Sequence, residues 1–417
     1  MRILLITNYY PPCDYGWGYM QLCEEVADGL SARGHAIAVL TSTYRDGDEI
    51  ARPYPVHRLL RIDPDWHGGR LAAWQFFVGR RQRERRADAH LRQLVAGFRP
   101  DVVFVWHTLG LPRVLFRQAE QLPGVVVAYY LADYLPEMPD EYIAYWRLPP
   151  VHWTAKLLKR PLTRLALYML AREGKPILLK YENAICVSDY VRRRLVGQKL
   201  IPPTAVVIHN GIDVQQFRSS GRRRDFSQSV SLLYAGRLES HKGVHHILEA
   251  LSLLSKEQQK RIGQLAIVGN GEPAYSSRLL QITKRLGLPS LVRFGPPVPR
   301  SQMPALLDRF DVLILPSSLE ALSRMMQEAM AMGLLIISTN TGGSRELLAH
   351  EGTGLVFEPG EPESLAAQLS YALNKPDLAA RLAKAGRQTV IDNFDIRCTV
   401  EQIETYLLDL VDSEGAL

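Results

Sequence analysis

The chain has 417 residues, of which 47% are hydrophobic and 22% charged, enough to build two cored domains and too apolar for disorder. No stretch approaches the ~18 consecutive apolar residues of a membrane-spanning helix, and Cys13, Cys23, Cys186 and Cys398 show neither paired nor metal-ligand spacing, so a reducing cytoplasm is the expected compartment. The net charge of +7 favours acidic partners: a nucleotide, a nucleic acid or an anionic membrane.

The opening MRILLITNYYPP reads as a first strand entering a polar turn. Its single basic residue and short apolar run differ from a secretory signal. Short runs rich in β-branched residues follow, AIAVLT, DVVFVW, VVVAYY, AICVS and AVVIHN, each succeeded by a loop and a longer helical pattern. That alternation predicts βαβ units around a parallel sheet. After the polar stretch RSSGRRRDFSQS the pattern restarts with SLLYAG, LAIVGN, LVRFG, DVLILP and LLIIST. Two similar α/β domains are expected, with the break between residues 205 and 230.

Two basic stretches stand out. GRRQRERRADAH, residues 79–90, reads as a solvated helix face. Residues 151–180, VHWTAKLLKRPLTRLALYMLAREGKPILLK, mix cations with Trp153 and many leucines. They suit either a basic amphipathic helix at an anionic interface or an ordinary helix whose leucines pack on the sheet. Pro161 predicts two shorter helices there instead of one long one.

Ligands of an open parallel sheet bind beyond the carboxyl ends of its strands, where loops and helix N-termini converge. In the second half those loops are AGRLESHKG, GNGEP, SSLEALS and NTGGSREL. After DVLILP, Pro316 ends the strand, Ser323 is a suitable N-cap and Gly333 a suitable C-terminal stop. Glu320 then falls in the loop and Glu328 inside the helix. The N–H groups at the helix start favour a phosphate, whereas the two carboxylates favour neutral hydroxyls. Phosphates flanked by polyols describe a nucleotide sugar. Taken alone, the same spacing also fits a helix cap and a surface ion pair. Arg237 and Lys242, following Gly236 at a strand end, supply one fork and one point charge for a diphosphate.

LLYAGRLESHKGV, LAIVGNGEP, DVLILPSSLEALSRMMQEAMAMG and ISTNTGGSRELL resemble, in order, the motifs of retaining glycosyltransferase family four, the group 1 glycosyltransferases. ITNYYPP with GWG, SARGHAIAVLTS and VSDYVRRRL with VVIHNGIDVQQF extend the resemblance over nearly the whole chain. It implies the α/β GT-B fold, two Rossmann-like parallel-sheet domains facing a cleft. The implied domains are an acceptor-side one, residues 1–205 with a C-terminal helix 395–417, and a nucleotide-sugar-binding one, residues 206–394.

The resemblance further implies donor-diphosphate contacts from Arg237, Lys242 and the N–H groups of Leu322 and Ser323, with Gly236, Gly269 and Gly271 on the same edge. Glu328 is expected at the ribose, Glu320 at the donor sugar, and Gly16 and Gly18 at the first glycine loop, here split by Trp17. No metal and no cofactor are expected beyond the nucleotide diphosphosugar. The acceptor would be a saccharide, a lipid-linked or another small molecule, with an anionic membrane surface as a partner of residues 151–180 on the cytoplasmic face, and no nucleic acid. Ala321 and Leu335 depart from the family pattern, as does Ala132, where many members place a histidine; Asp133 is the expected substitute and His107 the alternative. These departures also admit a binding or scaffold protein on a degenerate GT-B fold.

Overall fold

A computed structural model of the chain describes residues 1–13, 17–45, 47–63, 70–149, 155–222 and 224–415. They divide into two compact units, Met1–Ile208 with Val400–Leu417, and His209–Thr399.

Unit 1 contains strands β1 (Arg2–Thr7), β2 (Ala36–Ser42), β3 (Val56–Leu60), β4 (Val102–His107), β5 (Val126–Leu131), β6 (Asn183–Cys186) and β7 (Val206–Val207). Every pairing is parallel, in the order β3-β2-β1-β4-β5-β6-β7. Its helices are α1 (Trp17–Ala32), α2 (Arg70–Phe77), α3 (Arg80–Phe98), α4 (Arg113–Ala119), α5 (Glu141–Arg147), α6 (Ala155–Arg172) and α7 (Asp189–Gly197). Ile3, Leu4, Leu5 and Ile6 are buried at consecutive positions, so both faces of β1 are covered, as parallel sheets require.

Unit 2 repeats the plan with β8 (Val230–Ala235), β9 (Ile262–Val268), β10 (Val292–Gly295), β11 (Val312–Leu315), β12 (Leu335–Thr339) and β13 (Leu355–Phe357), ordered β10-β9-β8-β11-β12-β13 and again parallel. Its helices are α8 (Val244–Leu253), α9 (Lys256–Lys260), α10 (Pro273–Arg285), α11 (Met303–Leu307), α12 (Arg324–Ala331), α13 (Pro362–Asn374) and α14 (Pro376–Asn393). The last helix, α15 (Ile396–Gly415), returns to unit 1 from Val400 onward. Val400 packs there against Gly29 of α1, where a Cβ would lie 2.6 Å from a Val400 methyl, and Glu404 accepts hydrogen bonds from Arg33 and His35 at 2.6 Å.

Unit 1 carries a helical layer that the strand pattern does not announce. Phe76 of α2, Tyr142, Ile143 and Trp146 of α5, and Ala166 and Leu170 of α6 form one buried cluster. Pro161 lies within α6 and does not divide it. The proline is exposed, and the packing of Ala166 and Leu170 outweighs the ~3 kcal/mol cost of an interior proline. Beneath this layer runs a charged network. Arg80, buried, reaches Glu84 at 3.1 Å and Glu173 at 2.5 Å, Lys175 reaches Glu84 at 2.5 Å, and Asp63 accepts from Arg83 at 2.7 Å and from the Tyr142 hydroxyl at 3.1 Å. The basic stretch 79–90 is therefore not solvated throughout: Arg81, Arg85 and Arg86 are exposed, but Arg80 is a buried tie.

Candidate functional site

In unit 2 the chain moves outward from β8 through β9 to β10, then returns to β11 on the other side of β8. The crevice beyond the carboxyl ends of β8 and β11 is thus a topological switch point. The loops there are joined by their backbones. Leu238 N–H donates to Asn270 O at 2.8 Å, Glu272 N–H to Leu238 O at 3.1 Å, Ser318 N–H to His241 O at 3.0 Å and Gly343 N–H to Glu320 O at 3.0 Å. Two glycines set the spacing. A Cβ on Gly269 (φ 145°) would sit 1.9 Å from Gly236 O, and one on Gly342 (φ 60°) 1.8 Å from Glu320 O, so no other residue fits either place. Gly271 is bridged to Leu238.

The charged groups project from this joined edge. Lys242 Nζ lies 2.6 Å from Glu320 Oε1, with both side chains largely buried. Arg237, about half exposed, reaches Glu239 at 2.9 Å, and its carbonyl accepts from the Tyr234 hydroxyl at 2.7 Å; burial raises that phenol well above its ordinary value. β11 stops at Leu315, before Pro316, and Ser323 caps α12 by accepting from Met326 N–H at 3.2 Å. Leu322 and Ser323 therefore stand at the positive end of α12. Ser317 Oγ, Asn340 Oδ1 and Ser344 Oγ, in the loops beyond β11 and β12, are buried with no hydrogen-bond partner among the described residues.

Glu328 lies more than a turn into α12, almost fully buried, where Oε1 accepts from Arg300 at 2.6 Å. The Arg300 guanidinium rests over the Phe217 ring at 5.1 Å. The spacing also fits a surface ion pair; the pair is present but buried, which makes it a costly arrangement for stability alone. Gln327 Nε2 donates to Asn210 O at 2.8 Å, tying α12 to the HNGID turn, and His209 Nε2 meets Glu346 at 2.7 Å.

Unit 1 has its own switch point, between β1 and β4. His107 ends β4, and Asp133 lies two residues beyond β5. Their side chains meet, Nε2 to Oδ2, at 3.1 Å, with His107 buried and Asp133 39% exposed. The Tyr19 ring stacks on His107 at 3.9 Å and 11°, while its hydroxyl donates to Asn8 Oδ1 at 2.9 Å. Asp133 Oδ1 accepts from Leu135 N–H at 2.9 Å. The two residues weighed as alternatives are thus one cluster.

Gly236, Arg237, Lys242, Gly269, Gly271, Glu320, Leu322 and Ser323 share the carboxyl edge of unit 2, and Glu328 lies behind them on α12. Gly18 falls in the first turn of α1, Gly16 lies outside the described residues, and so does Trp153. Arg300 and Tyr19 lie outside the quoted motifs, whereas Asn8, His209 and Glu346 fall inside ITNYYPP, VVIHNGIDVQQF and ISTNTGGSRELL but have no expected role there. Among the described residues, no group of three or more histidine, cysteine or acidic side chains is placed to hold a metal ion, and no helix is long and apolar enough to cross a membrane.

Residues 21–216 match the family model of Glycosyltransferase Family 4, and residues 220–389 that of Glycosyl transferases group 1. Over 410 residues, 95% of this chain and 91% of the relative, the sequence is 28% identical to glycogen synthase of Mycobacterium tuberculosis. A D-inositol 3-phosphate glycosyltransferase of Streptomyces scabiei is 27% identical over 196 residues, 44% of each chain. Among solved structures, sucrose-phosphate synthase from Thermosynechococcus elongatus superposes with a TM-score of 0.73 at 17% identity over 99% of both chains. Anabaena HepE in complex with UDP-glucose does so at 0.66 and 19%, over 98% of this chain and 100% of that one. Two parallel-sheet units with this strand order, and two family models that follow one another along the sequence, lead to one assignment: the chain belongs to the group 1 glycosyltransferases of family four and has the GT-B fold.

Proposed function

We propose that this glycosyltransferase moves a sugar from a nucleoside diphosphosugar to a saccharide, lipid-linked or other small acceptor, with retention at the anomeric carbon and without a metal ion. The observation that carries the reading is the Lys242–Glu320 pair at 2.6 Å on the joined edge of unit 2, beside Arg237 and the capped start of α12. A diphosphate entering there would draw Lys242 from a carboxylate to its own oxygens, leaving Glu320 for sugar hydroxyls. Lys242, Arg237 and the N–H groups at Leu322 and Ser323 would then neutralise charge as the glycosidic bond to the diphosphate breaks, the electrostatic contribution that dominates when a leaving group carries the charge. Ser317, Asn340 and Ser344 offer buried polar atoms of the kind a polyhydroxyl ligand satisfies.

Glu328 would bind the ribose through a carboxylate held by Arg300, and Gly16 and Gly18 would border the donor sugar. The acceptor side is assigned to unit 1, where Asp133, oriented by His107, would face the transferred sugar. No nucleophile is assigned. The scaffold reading gains nothing from Leu335, whose side chain is buried in β12 opposite Val312 and serves the core.

A thermal-shift panel of nucleoside diphosphates identifies the base, because a ligand of the native state raises its stability by mass action. In calorimetry with the best diphosphate, Lys242→Ala should lose about 1.5–3 kcal/mol, as expected for a charged hydrogen bond, and the more exposed Arg237→Ala should lose less. Unchanged affinity in both variants would overturn the site. Transfer should survive EDTA; loss restored by Mg²⁺ or Mn²⁺ would overturn the metal-free part.

A further inference from the structure

Helix α6 of unit 1, AKLLKRPLTRLALYMLAR, has five cations and no acid in 18 residues. At 100° per residue, Ala166 and Leu170 define one face, which is buried against Phe76, Tyr142, Ile143 and Trp146. Leu165 and Tyr168, turned roughly 120° and 180° from it, are 49% and 58% exposed, whereas Leu162, four residues before Ala166 and 37% exposed, borders the buried face. Arg160, Arg164 and Arg172 are exposed around them, and the Arg172 guanidinium lies 5.7 Å above the Tyr168 ring. In the same helical layer, α2 leaves Trp74 65% exposed. Glu173, the acid that follows α6, is already held by Arg80 and Arg81.

Packing on its own domain does not account for outward apolar side chains set among these arginines. A helix with apolar residues ringed by cations fits a surface whose interior is apolar and whose rim is anionic. A second copy of the chain fits poorly, because a two-fold interface here would set the same arginines against each other. We propose that the Leu165 and Tyr168 face of α6, with Arg160, Arg164 and Arg172, docks unit 1 reversibly on an anionic lipid bilayer. The docking itself stands apart from the donor site; only its corollary, that the acceptor is lipid-linked, rests on the transfer reaction proposed above.

The test is co-sedimentation of the full chain with vesicles of phosphatidylcholine, alone or mixed with phosphatidylglycerol. Binding is expected only to the mixed vesicles, with release by salt as the Debye length shortens. Each cation near an anionic surface contributes about fivefold, so Arg160→Gln, Arg164→Gln and Arg172→Gln together should lower the partition constant roughly 100-fold. Leu165→Ser with Tyr168→Ser should weaken binding as well. Thermal unfolding and diphosphate affinity should stay at wild-type values in both sets, which separates loss of docking from loss of fold or donor site. The proposal is overturned by protein that stays in the supernatant with mixed vesicles, or by binding that the arginine variants leave unchanged. It is equally overturned by a wild-type dimer in analytical ultracentrifugation that Leu165→Ser with Tyr168→Ser abolishes, since the face would then serve a protein contact.

Discussion

The two units share a parallel-sheet plan and differ in how much of their carboxyl edges is held by glycine-spaced backbone and how much by clustered side chains. In unit 2 the loops at the switch point are joined backbone to backbone, with glycines where any side chain would strike a carbonyl oxygen. In unit 1 the corresponding place has backbone links too, Asn8 N–H to His107 O at 3.1 Å and Ser42 N–H to Asn8 O at 3.3 Å, but adds a side-chain cluster, His107 on Asp133, Tyr19 on His107 and Asn8 on Tyr19, and the helical layer is tied down by buried charges. Backbone joints fix geometry regardless of pH and ionic state. Side-chain joints can be retuned by single substitutions, which would suit unit 1 in the acceptor role proposed for it.

The contrast is sharpest at glycines. Gly342→Ala places a methyl against Glu320 O with φ at 60°, and neither the carbonyl nor the backbone can yield cheaply; a loss of about 3 kcal/mol or more is expected. Gly29→Ala in unit 1 meets only side-chain atoms of Val400, its two methyls at 2.6 and 3.0 Å and its Cβ at 3.4 Å, which a small shift of α15 can relieve, for about 1–3 kcal/mol. Urea unfolding of both variants checks the ranking, and equal losses would dissolve the distinction drawn between the units.

Charge should make unit 1 the pH-sensitive half. Glu141 opens α5, and burial outweighs the attraction of Arg113 at 3.6 Å, pushing its carboxyl up to about 7 from 4.5. Between those values the folded state keeps a proton that the unfolded chain has released, so stability falls as pH rises through the window and levels off above it. Relative to Glu141→Gln, the wild type should lose on the order of 2 kcal/mol from pH 4.5 to 7. Parallel stability curves for the two proteins would remove Glu141 from the account.

A smaller effect is expected where the units differ in chemistry. Asp133→Asn should lower turnover about tenfold, equivalent to ~1.4 kcal/mol, without changing nucleoside diphosphate affinity. His107→Gln, which still can donate to Asp133, should lower it less. The reverse order in steady-state kinetics would make His107 the group that meets the sugar.

What was legible in the sequence follows the same division. Strands such as RILLIT and DVLILP lie near their expected places because a doubly covered strand must be apolar at every position. Ser323 and Gly333 mark the two ends of α12 through their own backbone chemistry. Edge strands were another matter. β3, VHRLL, hides behind a histidine and an arginine, β13 has three residues, and AVVIHN shortens to two at β7. The grip of Arg300 on Glu328 spans 28 positions, and the stacking of Tyr19 on His107 spans more, so neither leaves a local pattern. Pro161 misled because its cost is local, whereas the packing that offsets it comes from α2 and α5, remote in sequence.

The placement of α15 has a consequence for biosynthesis. Unit 2 is one uninterrupted stretch of chain, but unit 1 receives Val400, Ile403 and Leu407, all buried, only after every residue of unit 2 has been translated. At about 5–20 residues per second, α1 waits roughly 20–75 seconds on the ribosome with Gly29 and its neighbours uncovered, and the half made first is the half completed last. A nascent chain is then exposed at unit 1 for longest, and a lesion in α15 damages the unit that was made first.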